Sequence, residues 1–236
     1  MRHTMLPLLI AFAATSLRAN ASEPPIHEPN AFIGSFRMEI HLFKNGKEEE
    51  HSPLNMRYWS TSDKLLYEMV LPGEQQRMRM LTDLRDNHAY TLVDQGDGGR
   101  VAMRMKRPGI PVKEESTSEK PKITMTRETR VIEGQTCTKV IAESEEGIWT
   151  GWVAMGLKSA FFDMARGMDE QSAQKFKHVG SGITGFPLEY EWVPTTGDER
   201  VICTVKDLKP GPVDEKLFDL SGYQVMDMPS FGIPQR

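Results

Sequence analysis

Cysteine is scarce in this chain. Cys137 and Cys203 are the only two among 236 residues, and no Cys-x-x-Cys spacing occurs, which argues against dithiol redox catalysis. The signatures of common catalysts are missing too: there is no G-x-S-x-G, no H-E-x-x-H, no P-loop and no dinucleotide-binding glycine pattern. Each of those motifs is what its chemistry needs to present a nucleophile, a metal or a phosphate. His27, His41, His51, His88 and His178 have no metal-ligand spacing to one another or to cysteine, so turn or surface positions are expected for them. The run Asp94-Gln95-Gly96-Asp97-Gly98-Gly99 lacks the alternating oxygen ligands and closing Glu of an EF-hand and reads as a hairpin turn. A protein that is not an enzyme, with no metal and no cofactor, is the expectation.

Long apolar runs are also missing, except at the start. Arg2 precedes the apolar stretch Met5 to Leu17, and Ala19-Asn20-Ala21 supplies the small-x-small pattern of a signal-peptidase site. The stretch is short for a permanent membrane span, so residues 1–21 read as a secretory signal peptide, with an uncleaved anchor as the alternative. No cysteine lies near the cut, which argues against lipid attachment, and nothing later is apolar for long enough to enter a membrane. Removing Arg2 and Arg18 leaves 27 basic residues against 33 acidic ones, a net charge of −6. An exported acidic chain is a poor partner for nucleic acid or anionic lipid. A periplasmic or secreted monomer is expected. In such an oxidising compartment Cys137 and Cys203 can form a disulfide; the alternative is two buried thiols on strands that are not neighbours.

Alternation dominates the rest. Residues 22–31, with Pro24, Pro25 and Pro29, form an extended leader. Phe36, Met38, Ile40 and Leu42 then fall on one face of a strand and Arg37, Glu39 and His41 on the other, the period-two pattern of a half-buried strand. Asn45-Gly46 is a strong hairpin signal. Further strands are expected at Leu54–Trp59, Leu65–Leu71, Arg77–Leu84, Ala89–Val93 and Val101–Lys106, as an antiparallel meander. After a Pro-rich, charged loop over 107–122, strands resume at Ile123–Arg130, Val131–Ala142, Ile148–Met155, Phe186–Val193 and Val201–Asp207. One domain over 32–225 follows, with a tail over 226–236.

A single helix pattern interrupts the strands. In Gly156–Gln171, Leu157, Phe161, Met164 and Met168 line one stripe at 100° per residue, with charged residues around the remainder. The stripe fits either an ordinary core helix or a cover over the hollow of a curved sheet. On the second reading, Phe36, Met38, Ile40, Leu42, Leu157, Phe161, Met164 and Met168 are the candidate ligand-binding residues.

Phe32-x-Gly34, Asn45-Gly46-Lys47, Met56-Arg57-Tyr58-Trp59, Gly134-x-x-Cys137-x-Lys139, Thr150-x-Trp152-Val153, Leu217-Phe218 and Gly222-Tyr223 occur in that order. Together they resemble a family of exported bacterial proteins of unknown function related to the lipoprotein-localisation factors (LolA/LolB-like). The resemblance implies a mainly β fold of the α+β type: a curved antiparallel sheet forming an incomplete, half-open barrel covered by helix. It also implies a concavity suited to acyl chains. No ligand-contact residue carries over. The expected function is therefore a soluble periplasmic binder or carrier of a hydrophobic small molecule, lipid or lipoprotein acyl chain. The alternative is an envelope protein-interaction or stress-sensing module that holds no lipid and binds a protein partner.

Overall fold

The computed structural model describes residues 29–70, 77–86, 88–94, 98–106, 121–161, 163–164 and 183–228. The signal segment 1–21, most of the leader, the 107–120 loop, His27 and His178 lie outside them. Thirteen strands form one sheet: β1 (Gly34–Lys44), β2 (Lys47–Glu48), β3 (Leu54–Ser60), β4 (Lys64–Val70), β5 (Arg77–Asp83), β6 (His88–Asp94), β7 (Arg100–Lys106), β8 (Lys122–Ile132), β9 (Gln135–Glu143), β10 (Gly147–Ala154), β11 (Phe186–Pro194), β12 (Glu199–Pro210) and β13 (Gln224–Asp227). Their order is β13-β7-β6-β5-β4-β3-β1-β12-β11-β10-β9-β8, with β2 added to β1. Two meanders, β3 to β7 and β8 to β12, are thus joined where β1 pairs with β12. The sheet is curved and does not close, for β13 and β8 remain edges among the described residues.

Local chemistry explains most of the strands. At Asn45-Gly46 both residues have positive φ, 52° and 71°, and the tight turn folds β2 back on β1. The expected break at Arg130–Val131 is not a break. β8 continues through Ile132, and the chain turns at Glu133-Gly134 with φ of 49° and 74°. The run Thr129 to Ile132 carries no turn former, whereas Gly134 readily takes the left-handed conformation. A second departure concerns the tail. β13 runs past residue 225 to Asp227 and pairs parallel to β7, so the sheet is not purely antiparallel.

Register shifts bend the sheet. They fall between Ser35 and Arg37 in the β1–β12 pair, between Trp152 and Val153 in β10–β11, and between Met125 and Thr129 in β8–β9. In the first, Asp207 takes φ 54°, and such bulges increase local twist and bend the strand. Phe36 on β1 and Phe186 on β11 consequently meet across the intervening β12, with ring centroids 5.3 Å apart. Two strand spacings in a flat sheet would span about 9.6 Å. The face they share is the concave one.

That inner face holds the main core, including Phe36, Met38, Tyr58, Leu65, Trp149, Phe186, Leu188 and Val205. A second core lies on the outer face of β4 to β7. Leu66, Leu81, Tyr90, Leu92 and Ala102 are covered there by the C-terminal segment, whose 3₁₀ turn Glu215–Phe218 inserts Phe218.

The helix begins later than its apolar stripe suggests. Residues 155–160 form a turn and irregular backbone, and the helical turn comprises described residues 161, 163 and 164. The Ser159 hydroxyl accepts the Phe161 N–H at 3.2 Å, and the Met164 N–H donates to Ala160 O at 2.9 Å. Ser159 is the first side chain after β10 able to cap the exposed helical N–H groups. Leu157 is therefore on the approach to the helix, not in it. Met168 lies outside the described residues, and among those described no longer helix covers the sheet.

Candidate functional site

The inner face can be followed across the strands in rows. Alternation sets which side chains point inward, and cross-strand register sets which of them meet. One row runs Val205, Met38, Met56, Met69 and Met78, directly paired from β12 through β1, β3 and β4 to β5. The next runs Phe36, Tyr58, Tyr67, Met80, Thr91 and Met103, from β1 to β7. Exposure grades along the first row. Met38 is 0% and Met56 2% exposed, Met69 is half-buried, and Met78 is 44% exposed.

The buried end of these rows is solid. Phe36 stacks on Tyr58 at 4.8 Å; Phe186 meets Phe32, Phe36 and Phe161 edge-on; and Phe161 meets Tyr190, itself stacked on Trp149. Edge-to-face and offset contacts of this kind add to simple burial. The structure thus brings together four of the proposed binding residues, Phe36, Met38, Phe161 and Met164, in a packed aromatic core. Ile40 and Leu157 are half-buried against the same core, and Leu42 is half-buried farther along β1.

The open end is different. Met69, Met78, Met80, Val93, Val101, Met103 and Met105 share the inner face of β4 to β7, and none is fully buried. Period-two alternation in Leu65-Tyr67-Met69 and Met78-Met80 carried the signal for this patch; only the register showed that the residues meet. Polar anchors stand beside it: the Tyr67 hydroxyl donates to Met80 Sδ at 2.7 Å, and Thr82 is fully buried on β5.

The closing turn and the strand entrance are locked together. Asp163, 1% exposed, accepts the backbone N–H groups of Ala31 and Phe32 at 3.0 Å each. Asn30 donates its side-chain amide to Thr61 O and Lys64 O, and Ser60 Oγ donates to Phe32 O at 2.6 Å. Phe32 then lies over Gly34, where an added Cβ would come within 2.5 Å of Lys209 O and 2.8 Å of the Phe32 ring.

Cys137 and Cys203 are free and buried. β10 and β11 separate their strands, a distance of roughly 14 Å along the sheet and far beyond disulfide reach. The bridge that an even cysteine count allows therefore does not form. Burial pushes the Cys203 thiol up to about 12, against the opposing hydrogen bond from Tyr190. Burial likewise raises Cys137. Both are protonated and poor nucleophiles. His41 Nδ1 and Ser52 Oγ both bond Glu48 Oε1, at 2.6 and 2.7 Å. This arrangement pins the β1–β2 hairpin. Among the described residues no group of three His, Cys, Asp or Glu side chains could hold a metal, and no helix is long and apolar enough to cross a membrane.

A family model described as a domain of unknown function, DUF4412, matches residues 32–223. The likeness running from Phe32 to Tyr223 is membership of that family. None of the curated proteins matches the chain significantly. Among solved structures, PNGF-II aligns at 12% identity and TM-score 0.39, over 84% of this chain and 31% of its own. This chain therefore spans about a third of that protein. A DUF1329 family protein from Desulfovibrio piger aligns at 7% identity and TM-score 0.33, over 81% of this chain and 91% of its own. A LolA superfamily protein from Nitrosomonas europaea aligns at 8% identity and TM-score 0.34, over 82% and 90%.

Proposed function

We propose that this DUF4412 protein is a binder or carrier of a hydrophobic ligand, a lipid or acyl chain, that works as a soluble monomer in the bacterial envelope. Its action is binding and not catalysis. One observation carries the reading: the apolar inner face continues past the packed core as an open methionine and valine patch on β4 to β7, centred on Met69, Met78, Met80 and Met103. Each methylene of an acyl chain gains about 0.8 kcal/mol when fully buried against such a surface. Methionine suits a variable chain, being flexible and polarizable. Segment 213–223 covers the outer face of the same strands, so among the described residues the inner face is the one left for a guest.

The test is titration of the mature chain with cis-parinaric acid, followed by displacement with oleate. Saturable uptake is expected, together with at least a tenfold loss in a Met78→Asp, Met103→Asp variant. Val131→Asp, at a position 70% exposed on the far edge strand, serves as the control and leaves uptake unchanged. Wild-type protein that takes up no probe refutes the reading.

A further inference from the structure

Hydrophobicity alone does not require sulfur, yet sulfur is concentrated here. The chain has 15 methionines, and the directly paired row Met38–Met56–Met69–Met78 places one on each of four neighbouring strands. Residues directly opposite in an antiparallel pair have Cβ atoms about 4.5–5.5 Å apart, and diagonal neighbours about 7–8 Å. Met69 and Met78 are such a direct pair. Met80, on the same face of β5 and opposite Tyr67, is diagonal to Met69. The three thioethers therefore begin from a triangle small enough for flexible side chains to converge on one ion. They sit where the row opens: Met69 and Met80 are half-buried and Met78 is exposed. Among the described residues, their inner-face neighbours by register include Met56, Tyr67, Thr91 and Val93, none of which brings a charge.

We propose that Met69, Met78 and Met80 form a thioether site for a soft monovalent cation, Cu(I), with Ag(I) as its redox-inert stand-in. A thioether sulfur is a neutral, soft donor that needs no deprotonation, and it selects Cu(I) over the hard divalent ions that carboxylates prefer. Binding exchanges one interaction: the Tyr67 hydroxyl gives up Met80 Sδ and keeps Met80 positioned when the site is empty.

The site shares its surface with the hydrophobic patch but does not depend on it. Leucine preserves apolar area and volume and removes only the sulfur, so the two readings fail separately. The experiment is Ag(I) titration of the full mature chain labelled with methyl-¹³C methionine, signals being assigned from Met69→Leu, Met78→Leu and Met80→Leu. The three methyl signals should shift together and saturate at one equivalent. A Met69→Leu, Met78→Leu double variant should lose at least tenfold in affinity, measured for Cu(I) by anaerobic competition with a chromophoric chelator. Affinity unchanged in the double variant overturns the proposal. So do shifts confined to methionines outside this triad.

Discussion

Phe32 and Asp163 stand 131 residues apart in the chain and meet through one hydrogen bond, the Phe32 N–H donating to Asp163 Oδ2 at 3.0 Å inside the core. Ala31 donates to the other carboxylate oxygen. The chain enters the sheet through backbone groups that no strand partner satisfies, and the closing turn after β10 supplies the acceptors. Asp163→Ala leaves two donors without this partner. Hydrogen bonds to charged groups are worth about 1.5–3 kcal/mol, so a loss of about 2–4 kcal/mol is expected in urea denaturation. Amide exchange at Ala31 and Phe32 should accelerate. Unchanged exchange at these two amides would show that the carboxylate does not hold the entrance.

Gly34 and Gly134 make a contrasting pair. Gly34 has φ of 149° and no room for a Cβ, whereas Gly134 has φ of 74° and open space around it. Gly134→Ala should cost only the left-handed penalty, about 1–2 kcal/mol. Gly34→Ala adds a clash with Lys209 O and should cost at least about 3 kcal/mol. Equal shifts in the denaturation midpoint would contradict this placement of Phe32 over Gly34.

Phe161 is 4% exposed and packs edge-on against Phe186 and Tyr190. Phe161→Ala should therefore cost the full amount of a buried aromatic, about 3–5 kcal/mol. Met78→Ala, in the open patch, should cost under about 1 kcal/mol. A small loss at Phe161 would mean that its turn is a loose cover after all.

The two thiols should behave as buried and unbridged. Burial holds both above the ordinary thiol range, Cys203 at about 12. Ellman's reagent should find neither in the native protein at neutral pH and both after denaturation without reductant. Failure to detect them in denaturant would demonstrate a disulfide.

β13 is tied to β7 by Arg104, which donates to Asp227 from Nε at 2.7 Å and from a terminal nitrogen at 3.1 Å. That bond holds the Asp227 carboxyl below its usual 3.8. The carboxylate's contribution is therefore present above that pH and disappears as pH falls through the lower folded value. Amides of β13 should exchange faster relative to β6 below that point, and Asp227→Asn should remove the difference. Solvent screening keeps the effect local.

Local sequence determined where most of the strands lie and which face their residues take, because a side-chain period of two depends on nothing beyond the strand itself. Phe36, Met38, Met78 and Met80 were legible as one-sided apolar positions on that ground. Asn45-Gly46 marked its own turn because its backbone preference is local too. Tertiary structure decided what each face meets. Met38 and Met78 are the same residue in the same pattern, yet one is 0% and the other 44% exposed. The difference arises because the rings of Phe36, Tyr58 and Phe186 and the turn bearing Phe161 gather over one end of the sheet. The parallel pairing of β13, the C-terminal cover over Leu81 and Tyr90, and the separation of Cys137 from Cys203 are likewise contacts between distant segments. Alternation assigns a side chain to a face, but only the packing of remote chain onto that face decides whether it becomes core or open surface.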